Sequence, residues 1–149
     1  MNDQTLDLYT TIHQGAKMSI ASLDVLIQNS ADEGYKTYLI HKQNRYKQIA
    51  AKAGQALQEY SEYSESTAQP SVIPQVATQT MASVNSLTGQ VGQEQPAQVM
   101  LYGFQKASGD LADSMQRDTD ATQNARNLAF SLLELQQNDL YNFSTGLRQ

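Results

Sequence analysis

Between residues 3 and 29, large or inward-tolerant side chains recur in alternating steps of three and four: Leu6, Tyr9, His13, Ala16, Ile20, Leu23 and Ile27. That spacing places all of them on one face of a helix, and Leu8, Ile12 and Leu26 widen the stripe. A helix with so broad an apolar face must bury it against other helices, so the rhythm constrains the fold more than any other feature. The segment QNSADEGY follows it. Ser30 with Glu33 three residues later reads as a capping box, which satisfies orphan amides at a helix start. The first helix, over about 3–29, therefore turns tightly into a second.

The second helix is expected over about 31–64, with Tyr35, Leu39, Tyr46, Ile49, Ala53, Ala56, Leu57, Tyr60 and Tyr63 on one face. At about 1.5 Å per residue it would be on the order of 50 Å long. Gly54 inside it is read as a point of close helix approach. SESTAQPS, residues 64–71, reads as a linker, and a short helix over about 74–88 follows, opened by Pro74. TGQVGQEQP breaks the pattern before a helix over about 96–117, whose stripe is Ala97, Met100, Phe104, Ala107, Leu111 and Met115. RDTD is a turn with Asp118 as candidate N-cap. The last helix, over about 119–146, faces inward through Ala121, Ala125, Leu128, Leu132, Gln136, Asp139 and Phe143, and Gly146 is placed to end it. Gly15, Leu23, Gln28 and Asp32 recur 88 residues later as Gly103, Leu111, Gln116 and Asp120. This echo suggests two similar helical hairpins, joined by a long connection that contains the short helix. The expected fold is a single all-α domain over residues 1–149, a four-helix bundle.

Composition narrows the chemistry. The 149 residues contain no cysteine, which removes disulfides, thiolate metal sites and cysteine nucleophiles. The net charge is −5, and the ten Lys and Arg are spread along the chain. Nucleic-acid binding needs several cations on one face, so DNA, RNA and anionic membrane surfaces are not expected partners. The N-terminal residues show neither a basic region nor an apolar run, and nowhere do 18 apolar residues follow one another. The expected location is the cytoplasm, with no membrane span.

The segments HQGAKMSIASLD in the first helix, YLIHKQNRYKQIAAKA in the second and MLYGFQKASGDL in the fourth carry a resemblance. Together with the layout, they make the chain similar to the ferritin-like group of four-helix proteins, and in particular to small bacterial members without the di-metal ligands. The resemblance implies ferritin-like wiring, with one crossover. Ferritin-like catalysts hold two metal ions with a Glu from each of two helices and Glu-x-x-His from each of the others. Here Tyr38 stands three residues before His41, and Thr10 three before His13. The nearest approach, Glu134 with Gln137, points away from the apolar stripe. Asp110 and Asp113 lie beside or behind theirs, and Asp7 faces away. No metal and no cofactor are expected.

Two polar residues intrude on the inward faces: His13 and Asp139. His13 is read as buried or half-buried, neutral and hydrogen-bonded. Asp139 must be paired, protonated or near the bundle end. If both tight turns lay at one end of the bundle, the two would sit roughly 26 and 31 Å from it and could meet. Ferritin-like wiring, with the turns at opposite ends, would separate them. His41, about 120° from its stripe, is expected at the surface beside Lys42 and Arg45. With no Walker loop, no Gly-x-Gly-x-x-Gly and only two histidines, no enzyme is expected. The leading expectation is a helical bundle that acts by association with itself, as a dimer, with the long second helix overhanging to dock a second copy. The alternatives are a diverged ferritin-like protein that binds a metal or small apolar ligand through His13, and, by fold analogy alone, a stress- or spore-surface structural protein.

Overall fold

The computed structural model describes residues 2–65 and 96–147. They form four helices, α1 (Asp3–Gln28), α2 (Glu33–Glu65), α3 (Pro96–Arg117) and α4 (Gln123–Leu147), with no strand among the described residues. α2 reaches Glu65, so the first two residues expected in the linker are helical. The rest of that linker, the expected short helix over 74–88 and the break up to residue 95 lie outside the described residues. None of the described helices is long and apolar enough to cross a membrane.

The helix ends are set by side chains that the sequence pattern only half identifies. Asn2 caps α1: its side-chain oxygen accepts from the Thr5 amide at 2.7 Å. The expected Ser30–Glu33 capping box does not form. The Ser30 amide instead donates to the Ile27 carbonyl as α1 ends, and Asp32 becomes the cap of α2, its carboxylate accepting from the Gly34 amide at 3.1 Å and its carbonyl from the Lys36 amide at 2.9 Å. Asp118 likewise does not cap α4. Its amide donates to the Ser114 carbonyl at 2.8 Å, closing the last turn of α3, and Thr122 opens α4 instead, accepting from Ala125 and Arg126. α4 continues through Gly146 to Leu147.

α1 lies at the centre of the arrangement. It packs against α2 on one flank and α3 on the other, and it also approaches α4. Its deepest residues are therefore not the predicted stripe alone. Leu8, Ile12, Ala16 and Leu23 are fully buried, together with Thr5, Gly15, Ser19 and Ser22. Leu6, Tyr9, Ile20 and Ile27 form the half-buried shoulder. The serines are inexpensive to bury because a helical hydroxyl finds a carbonyl one turn back, as Ser22 Oγ does at Met18 O, 2.8 Å away.

The register follows from individual contacts. Gly54 lies against His13, and Gln43 bonds Ile20 and Asp24, so α2 runs antiparallel to α1. Continuing that register brings the end of α2 level with the start of α1 to within roughly one turn. The expected overhang is thus absent: the extra length of α2 is used up in matching α1. Thr5 bonds Thr122 while Ser19 bonds Gln136, so α4 runs parallel to α1. Asn2 and Gln4 bond Asp120, which seats the 118–122 turn beside the start of α1, whereas the 29–32 turn follows its end. The two turns lie at opposite ends. The backbones of α2 and α3 stay apart, but the rings of Tyr46 and Phe104 stack across the core with centroids 5.6 Å apart.

Gly54 does not need to be glycine for this packing. A Cβ there would meet the His13 ring at 3.5 Å, an ordinary van der Waals contact. Because glycine in a helix interior costs about 1 kcal/mol relative to alanine, Gly54→Ala is expected to raise the unfolding free energy by up to about 1 kcal/mol in urea titrations. A loss of stability would contradict this.

Candidate functional site

Counting along α4 places Ala125, Leu132, Gln136, Asp139 and Phe143 on one inward line. Asp139 is fully buried. An unpaired carboxylate there would cost several kcal/mol, so its partners decide whether the helix can pack at all. Both come from α2, four residues apart and so on one face. The Tyr46 hydroxyl donates to Asp139 Oδ2 at 2.8 Å. The Lys42 ammonium stands 3.1 Å from Oδ1, off the line of a hydrogen bond, so charge alone holds that oxygen. Lys42 follows His41, the histidine expected at the surface. Its stem runs inward and only 19% of the side chain is exposed. On its way the ammonium passes 5.6 Å from the centre of the Tyr38 ring, within cation–π range. Burial, and then the Asp139 charge and hydrogen bond, push the Tyr46 hydroxyl far above its ordinary titration range, so it stays a donor.

A second tier of polar groups surrounds this tie. Gln136, one turn before Asp139, is fully buried; its Nε2 donates to Ser19 Oγ at 3.2 Å, while its Oε1 has no partner among the described residues. Gln43, beside Lys42 in sequence, donates to the Ile20 carbonyl at 3.0 Å and to Asp24 at 2.6 Å. Phe104 and Phe143 stack with centroids 6.2 Å apart and close the apolar side. At the other end of the bundle, Arg117 donates to Asp7 at 2.6 Å, and the Ser114 hydroxyl lies 3.2 Å from Asp7 and 2.9 Å from Asp118. Burial raises the Asp7 carboxyl, but its bonds to Asp118, Arg117 and Ser114 outweigh that and hold it below its ordinary value. Asp118 is raised, first by burial and then by the neighbouring Asp7.

His13 is half-buried, with its ring against Gly54. Its Nδ1 is buried and has no hydrogen-bond partner among the described residues, contrary to the expectation of a bonded histidine. It lies about two turns along α2 from the tie, at residue 54 rather than 46, so His13 and Asp139 do not meet. His41 is exposed, as is Glu134. Among the described residues, no three His, Asp or Glu side chains gather as a metal site would require. The tie uses up the charge it contains, each group satisfying another, and therefore acts as a fastener between α2 and α4.

No family model, curated protein or solved structure matches the chain.

The fastener makes a testable demand. Lys42→Met leaves the Asp139 charge without its counter-ion and is expected to cost about 3 kcal/mol of unfolding free energy. The triple variant Lys42→Met, Tyr46→Phe, Asp139→Leu removes every member and should recover most of that loss. A triple variant no more stable than the single one would contradict the pairing. His13 makes a second demand. Burial, and then the charge of Lys17, lower its basicity below the ordinary 6.5. The unfolded chain then binds a proton that the folded chain refuses, so this contribution is complete above pH 6.5 and is lost as pH falls below it. Urea midpoints between about pH 7.5 and about pH 5.5 should fall more steeply for the wild type than for His13→Gln, with equal slopes as the contrary result.

Proposed function

We propose that this chain is a non-catalytic helical bundle that works by association with a second copy of itself, in the cytoplasm. One observation carries the reading. Among the described residues, Tyr35, Tyr38, Ile40, Tyr102, Phe130 and Tyr141 each keep more than a third of their surface in water. Single exposed apolar residues are ordinary, but large aromatic side chains are the type that protein interfaces favour. Tyr35 and Tyr38 stack with centroids 6.1 Å apart and planes 17° from parallel, forming a flat platform. The buried charges of Lys42 and Asp139, by contrast, are spent on one another.

Ferritin-like wiring is the architecture we favour for the bundle. It is supported by the tight turns lying at opposite ends and by α1 packing between α2 and α3. Two up-down hairpins with both turns at one end would have brought His13 and Asp139 to one level. Ligand or metal binding in the core has weaker support: His13 brings one nitrogen and no carboxylate partner.

Sedimentation equilibrium tests the reading. A concentration-dependent rise from the mass of one chain to that of two is expected in the micromolar range. A single-chain mass at every concentration up to the solubility limit overturns it.

A further inference from the structure

We infer that the seam between α3 and α4 holds a binding slot for a small aromatic carboxylate, a single ring that carries one acid group. The inference stands apart from self-association and does not depend on it. Where α3 ends and α4 begins, Leu8, Met115, Gln116, Arg126 and Phe130 line a cavity of about 130 Å³. Leu8 is fully buried and forms its floor. Met115 is half-buried along the wall, while Gln116, Arg126 and Phe130 stand exposed at the mouth. A cavity of about 150 Å³ among apolar side chains takes up one benzene ring, so this slot is the size of a single ring. Its walls also suit one. The Met115 thioether makes favourable contact with an aromatic edge, and the Phe130 ring can stack on another in offset geometry.

Arg126 supplies the preference for an acid. Among the described residues it is the only charged group that lines the cavity. Neither its guanidinium nor the Gln116 amide has a hydrogen bond or ion pair among the described residues. A guanidinium presents two parallel N–H donors that match the two oxygens of a carboxylate, and the Gln116 amide can donate a further bond. The acids nearest in sequence are turned elsewhere. Asp7 and Asp118 face Arg117 and Ser114. Asp113 points about 160° from Met115 around α3. Asp120 sits on the turn beside Asn2 and Gln4. Glu134 stands about two turns from Arg126 along α4. An apolar floor with a few convergent polar groups at its mouth is the usual make-up of a small-molecule site. The net charge of −5 acts on an anion from farther off, where salt screens it beyond about 8 Å.

NMR of protein labelled at the methionine methyls reads the slot directly. Benzoate should move the Met115 signal, with a dissociation constant on the order of 1 mM. Met18, ten residues from Leu8 along α1, should stay in place. Benzamide keeps the ring without the charge, and acetate keeps the charge without the ring. Each should bind at least about tenfold more weakly than benzoate. Arg126→Gln should weaken benzoate to the level of benzamide and leave benzamide unchanged, a pattern that a general loss of structure would not give. A Met115 signal unmoved by benzoate up to about 20 mM overturns the inference. So does benzamide that binds as tightly as benzoate, or an Arg126→Gln protein that keeps the wild-type affinity.

Discussion

The structure depends on α1 being enclosed on three sides. A helix packed against one neighbour needs one apolar stripe; α1 touches α2, α3 and α4, and it can do so only because its inner faces alternate large and small side chains. Leu8, Ile12 and Leu23 fill space, while Gly15, Ser19 and Ser22 allow other helices to come near. α4 approaches α1 at Gly15, where Leu132 and Gln136 lie against the glycine. That approach costs α4 most of its contact with α2, which survives chiefly through the hydroxyl and ammonium that reach Asp139.

Seen this way, the buried Lys42–Asp139–Tyr46 group is a consequence of the packing. Where two helices interlock poorly, apolar contact alone sets their register weakly. A buried charge that is satisfied in only one register sets it more sharply, although such pairs add little net stability over an apolar replacement. Tyr46 also stacks on Phe104, so the one side chain links α2 to both helices of the other half. His13 has no such partner, and its neutral ring serves as filler against Gly54.

Much of this was legible in the sequence, and what was missed has physical reasons. The spacing from Leu6 to Ile27 marks α1 as an amphipathic helix because helical period is a local property. Asp139 can be placed on the inward line of α4 by the same counting. Its partners cannot, because they depend on the register between helices that are far apart in sequence. Counting angles treats a long side chain as a point, so it does not show that the stem of Lys42 carries the ammonium to the carboxylate. Ser30 and Asp118 were plausible caps by type, but Asp32 and Thr122 took those roles because the backbones of Ser30 and Asp118 were already bonded to the preceding helices. The exposure of Phe130 and Tyr141 on α4 follows from the same arithmetic, which sets both away from the inward line.

The buried groups hold one copy together; in the self-association proposed above, an outer face joins two. The most direct test is sedimentation equilibrium of the folded triple variant Lys42→Met, Tyr46→Phe, Asp139→Leu. The account predicts a dimerisation constant within about twofold of the wild type, since roughly 0.4 kcal/mol is the corresponding energy and no member of the tie is among the exposed aromatic side chains. A variant that folds with native helicity but no longer associates would contradict it and place the function in the core.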